Sequence, residues 1–153
     1  MLFDNFSAVP EEVALLNAEM AAMGDKSPVA LEIPPKCFFD MQGKFLRYRS
    51  RKAILVSFPV LEKQLNPIGV MQGGYMAAAF DNTLGPLSYA AAQKAAVTLD
   101  MSQTYLRAAR AGETIWCAAE VVTRSPRTLY MTASVFDERR KLVATAQTQI
   151  LIL

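Results

Sequence analysis

NPIGVMQGGYMAAAFDNTLG runs from Asn66 to Gly85. A glycine pair, Gly73-Gly74, opens an apolar stretch rich in alanine. Eight residues after Gly73 stands a single carboxylate, Asp81, among small and apolar neighbours. The alanines at 77–79 and 90–92 are strong helix formers, so a central helix is expected over about 72–93. Gly85-Pro86 interrupts that pattern. Proline removes the bond to the carbonyl four residues back, so the helix kinks there or restarts with Pro86 at its first position. A carboxylate in apolar company is costly unless it is paired or functional. Asp81 therefore reads either as a cap near the Gly85-Pro86 break or as a working acid.

Upstream, PEEVALLNAEMAAM has proline in a first helical position, two acids at the positive helix start and Gly24 as a stop. It predicts an N-terminal helix over about 10–24. SPVALEIPPKCFF follows, and its prolines predict an extended or looped segment. GKFLRYRS and KAILVSFPV alternate and read as two strands joined around Ser50-Arg51. Asn66-Pro67 marks a turn. Downstream of the central helix come four more strand-like runs: VTLDMSQTYLR, ETIWCAAEVVT, RTLYMTASVFD and KLVATAQTQILIL. Turn signals between them predict an antiparallel meander. The whole chain, 1–153, reads as one α+β domain, a curved antiparallel sheet with a helix on one face.

Composition narrows the chemistry. Apolar residues make up 52% of the chain, enough for a substantial core at 153 residues. The two cysteines, Cys37 and Cys117, read as free thiols, which suits a reducing compartment. The acidic N-terminal region does not resemble a secretory signal, and no apolar run approaches the roughly 18 residues of a membrane span. The expected location is the cytoplasm, with no membrane partner. Net charge is +2, and the one dense basic stretch, RYRSRK at Arg47–Lys52, reads as exposed strand ends and their turn. No nucleic-acid partner is expected. The chain has no histidine, which rules out Ser-His-Asp and Cys-His triads and removes the commonest nitrogen ligand of zinc. No metal or cofactor is expected. Acid–base work near neutral pH falls to carboxylates, tyrosine, lysine or cysteine.

The spaced set of Asn66, Gly73, Asp81, Thr98 and Gly112 resembles the signature of hotdog-fold acyl-CoA thioesterases, in the branch that includes phenylacetate-pathway and hydroxybenzoyl-CoA enzymes. That pattern is an asparagine, then His-Gly-Gly, then an acid eight residues after the first glycine. TLDMSQTYLRAARAGET is similar to the family's strand after the helix. The resemblance covers roughly Ala53 to Ile150 and implies a hotdog fold, in which a curved antiparallel sheet wraps one long helix. It also implies a side-by-side homodimer, often paired again into a homotetramer, and an acyl-CoA substrate. The N-terminal helix is an addition found in many members.

Thioester hydrolysis places negative charge on the carbonyl oxygen. Unpaired N–H groups at a helix start suit that charge, and glycine admits a carbonyl close to the backbone. Gly73 is the expected oxyanion donor, with Gly74 beside the substrate. Asp81 is the candidate base or nucleophile; the sequence leaves open whether it activates water or attacks directly. Eight residues of helix rise about 12 Å, so Gly73 and Asp81 of one chain cannot both reach one carbonyl. Two antiparallel helices about a two-fold axis would pair Gly73 of one chain with Asp81 of the other, giving two sites per dimer. By resemblance, Asn66 would help hold the carbonyl or the acid, and Thr98 would orient the water or the acid. Each also has a plain structural use, Asn66 in its turn and Thr98 in its strand. Gln72 stands where the family commonly has histidine and contributes polarity without titrating. By resemblance, CoA phosphates would meet arginines near strand ends: Arg107, Arg110, Arg124 and Arg127. Met71, Met76, Phe80, Met101 and Tyr105 are candidates for the acyl wall.

Two other readings stand beside hydrolysis. One is a non-catalytic hotdog protein that binds acyl-CoA, motivated by Gln72 and by the proline after Gly85. The other is a hotdog dehydratase, which leans on a histidine that this chain lacks.

Overall fold

A computed structural model describes residues 1–153. Helix α1 spans Pro10–Lys26, two residues past the expected stop at Gly24, with Pro10 in its first turn and Lys26 in its last. Leu16, Met20 and Met23 form its buried side. Its acids face β1 (Lys44–Arg49): Glu12 pairs with Arg47 at 2.9 Å and accepts the Tyr48 N–H at 2.8 Å. Glu19 accepts from the hydroxyls of Tyr48 and Ser50. Part of the segment expected to be looped is a short helix, α2, at Lys36–Asp40. The prolines lie just ahead of it, where they do not oppose a helix, and one turn suffices to bury Phe38 against Phe45 at 4.6 Å between ring centres.

β1 and β2 (Ala53–Pro59) form a hairpin whose turn holds Arg51 at φ 59. Helix α3 spans Gly73–Ala92 and runs unbroken through Gly85-Pro86. Its second half buries Leu84, Leu87, Ala90 and Ala91 against the sheet, which offsets the bond lost at proline. β3 (Ala96–Tyr105), β4 (Thr114–Arg124), β5 (Thr128–Phe136) and β6 (Leu142–Ile152) complete one antiparallel sheet in the order β1-β2-β4-β5-β6-β3. The expected meander holds for β4 to β6. β3 departs from it: α3 crosses the sheet and delivers β3 to the far edge, where Thr104 pairs with Thr145 of β6.

Along β5 the alternation is regular, with Leu129, Met131, Ala133 and Val135 turned in toward α3. Register shifts in four of the five strand pairs bend the sheet around the helix. A sheet wrapped on one long helix is the hotdog fold. The outer face is half covered. Residues ahead of α1 lie across β2 and β4, where Phe3 is fully buried with Leu55 and Ala118. Phe6 stacks on Trp116 at 5.5 Å. The guanidinium groups of Arg47 and Arg49 sit over Phe3, and that of Arg140 over Phe6. No helix is long and apolar enough to cross a membrane.

Candidate active site

The loop into α3 is a tied turn. Asn66 Oδ1 accepts from the N–H of Ile68 at 3.1 Å and of Val70 at 3.2 Å, and Gly69 takes φ +81. Its side-chain oxygen therefore serves the turn, and its amide nitrogen remains for other work. Met71 and Gln72 donate their N–H groups to the carbonyls of Ala109 and Gln64, both at 2.8 Å. Gln72 is the extended residue ahead of the helix; its side chain is exposed and does not cap α3. The Gly73 and Gly74 N–H groups, first in the helix, have no partner in the chain.

Tyr105 crowds position 73. A Cβ there would fall 3.2 Å from the Tyr105 ring, while the tyrosine hydroxyl donates to the Gly73 carbonyl at 3.0 Å. Tyr105 thus belongs to the helix start, where Met71 and Met76 also lie, and Phe80 is fully buried in the core. At Gly74 a Cβ would meet nothing within 4 Å. Asn66, Gly73, Met76, Tyr105 and Arg107 line a cavity of about 370 Å³.

Asp81 is exposed two turns further along α3. Thr98 Oγ1 donates to Asp81 Oδ1 at 3.1 Å, so the structure joins these two expected residues directly. They line a second cavity, of about 340 Å³, with Cys37, Asn82, Gly85 and Tyr89. No residue is shared between the two cavities. Cys37 and Asn82 were absent from the sequence reading of the site. The Cys37 thiol donates to the buried Asn82 Oδ1 at 3.4 Å and holds the 27–40 segment against α3. Only the neighbourhood of Asn82 to Asp81 hinted at this.

The expected arginines divide. Arg124 donates to the carbonyls of Ala91 at 2.7 Å and Ala92 at 3.4 Å, which caps the end of α3. Arg127 is exposed at the β4–β5 turn. A third cavity, about 520 Å³, is lined by Arg107, Arg110, Arg139 and Lys141 and shares Arg107, Ala108 and Ala109 with the Gly73 cavity. Three carboxylates also line it: Glu113 accepts from the Arg110 N–H, Asp137 accepts from those of Arg139 and Lys141, and Glu138 is not tied to backbone. None of these cations forms an ion pair; the structure's one ion pair is Arg47–Glu12. Cys117 lies inside the core, where burial pushes its thiol up to about 12.

A model of the thioesterase superfamily matches residues 68–144, half of the chain. No curated protein matches by sequence. Among solved structures, the PaaI protein of the Escherichia coli phenylacetic acid degradation operon is 17% identical with a TM-score of 0.78, over 93% of this chain and 96% of that one. A single-site variant of the phenylacetic acid degradation protein PaaI from Thermus thermophilus is 25% identical with a TM-score of 0.72, over 78% and 100%. A Streptococcus mutans protein bound to acetyl-CoA is 24% identical with a TM-score of 0.69, over 73% and 89%. Fold and sequence together define a hotdog protein of the thioesterase class. The chain belongs to the thioesterase superfamily, and within it resembles the phenylacetate-pathway proteins.

Proposed function

We propose that this protein hydrolyses acyl-CoA thioesters to a free acid and CoA. One arrangement carries the reading: Asp81, held by Thr98, lies in a different cavity from Gly73 and Asn66. A carbonyl on the Gly73 N–H needs its acid at roughly 3 Å, closer than Asp81 of the same chain can come. A two-fold partner can supply it. β3 is an edge strand with Val97 and Leu99 exposed, and an open apolar edge is a template for pairing. Joining two such edges would set the start of one α3 beside the middle of its partner's, with two sites per homodimer.

In each site the Gly73 N–H, at the positive end of α3, stabilises the oxyanion, and the Asn66 amide nitrogen supports the carbonyl. Thr98 occupies Asp81 Oδ1 and leaves Oδ2 for chemistry. In one route Asp81 takes a proton from water, the hydroxide adds to the carbonyl carbon, and collapse expels the CoA thiolate. In the other, Asp81 adds first, the thiolate leaves, and water opens the resulting anhydride. A single turnover in heavy-oxygen water tests the second route: label in Asp81 shows an anhydride opened at the enzyme's carboxyl carbon. The Arg107–Arg110–Arg139–Lys141 cleft, which shares a wall with the Gly73 cavity, suits the CoA phosphates. The acetyl-CoA held by the Streptococcus mutans neighbour supports a ligand of this kind.

The second reading, binding without turnover, is favoured by Gln72, which cannot move a proton. A free-thiol release assay beside calorimetry decides between them. Wild type should release CoA, and Asp81→Ala should lose on the order of a hundredfold or more in rate while still binding. Equal rates for Asp81→Ala and wild type would overturn the proposal. Binding by wild type without thiol release would favour the scaffold.

A further inference from the structure

Gly85 lies in the interior of α3, where glycine weakens a helix relative to alanine because it has more backbone freedom to lose. Pro86 follows it, and a Cβ ahead of a proline is disfavoured in helical backbone, so glycine has one local use here. Beyond that neighbour the position is open: its φ is not positive, and a Cβ built on it meets nothing within 4 Å from the rest of the fold. Gly73 differs, since Tyr105 crowds it. Gly85 does face the cavity that holds Asp81, one helical turn further on, and Tyr89 faces it one turn beyond that. α3 therefore presents a carboxylate, an open position and a phenol in succession. Opposite them run Ile33, Pro35 and Cys37, a strap fastened to α3 through Cys37 and Asn82. At about 340 Å³ the cavity is at the small end of the range of ligand pockets.

We infer that this cavity receives the acyl group, that Gly85 keeps it open beside the carboxylate, and that the Ile33–Cys37 strap sets the largest acyl group accepted. The inference rests on the thioesterase reading above. Gly85 acts here on specificity: it adjoins the acyl tail beyond the reacting carbonyl. The substrates it implies are acyl-CoAs of small to medium acyl size, with long chains excluded by the strap.

The test is the ratio of kcat/KM values along acetyl-, butyryl-, hexanoyl-, octanoyl- and palmitoyl-CoA, with thermal unfolding measured on the same samples. Gly85→Ala should lower the octanoyl-to-acetyl ratio. Gly85→Leu should lower that ratio by about tenfold or more. Ile33→Ala, which shortens the strap wall, should raise the palmitoyl-to-octanoyl ratio. Ratios that stay constant in all three variants, with wild-type turnover intact, would overturn this inference and leave hydrolysis standing. A wild type that releases CoA from none of the series would overturn the thioesterase reading and this inference with it.

Discussion

Arg110 and Arg124 read alike in the sequence, as exposed cations near strand ends, and the fold uses them differently. Arg124 reaches back to the carbonyl of Ala91, 33 residues away, so its role depends on where α3 ends against β4. No local pattern announces that. Arg110 keeps its side chain in the open cleft beside Arg107. Arg124→Ala should therefore lower stability by about 1 kcal/mol, the worth of an ordinary hydrogen bond, with KM for acyl-CoA little changed. Arg110→Ala should raise KM and leave Tm in place; steady-state kinetics and a thermal melt on both variants check the contrast. Gly73, Asp81 and Thr98 stood out in the sequence by their spacing, and the fold sets the Thr98 hydroxyl on Asp81 at 3.1 Å. Asn66 was legible only as a choice, and its oxygen proves to serve the turn. Tyr105 was placed on the acyl wall. Its contact with Gly73 joins the end of a strand to the start of a helix 32 residues earlier, which periodicity cannot convey.

Between elements, the clearest electrostatic joint is α1 on β1. The Arg47 hydrogen bond, joined by the Tyr48 N–H, holds the Glu12 carboxyl below the usual carboxylate range. Folded protein then binds that proton less readily than unfolded protein. The joint's contribution is full above the ordinary carboxylate pKa and is lost as pH falls through Glu12's lowered value. Glu12→Gln should cost about 1 kcal/mol near neutral pH and less in acid, so that mutant and wild-type melting curves converge there. Urea titrations at neutral and acid pH measure the convergence. The two long helices and six strands were readable from helix formers, alternation and turn signals, most plainly in β5, which buries every second residue. Two departures have tertiary causes. α2 forms because Phe38 has Phe45 and Phe58 to pack on. α3 continues past Pro86 because the sheet holds its second half.

At the scale of the molecule, the separation of the two cavities makes a prediction about mixtures. Asp81→Ala and Gly73→Val homodimers should each be inactive. A mixed dimer would join an intact Gly73 from one chain to an intact Asp81 from the other, restoring one of its two sites. Random exchange of equal amounts should then recover about a quarter of wild-type activity, one half of the dimers each carrying one half of the sites. No recovery after exchange proven by mass spectrometry would place each site within one chain. The separation of Gly73 from Asp81 along α3 was legible from helix rise alone. The route of β3 to the far edge was not, because antiparallel strands of similar pattern can be ordered in many ways until α3 is seen to cross the sheet.

The N-terminal arm carries a consequence for the order of assembly. Phe3 and Arg140 meet across 137 residues, with the Arg140 guanidinium reaching the Phe3 carbonyl. During synthesis Phe3 precedes every strand it covers, so its hydrophobic seat on Leu55 and Ala118 exists only once β4 has been made and paired. The arm is then among the last pieces to settle. Phe6 comes to rest on Trp116, the chain's only tryptophan. The molecule thus carries one indole at the place where its first residues close over its later strands, so that fluorophore reports the docking of the arm.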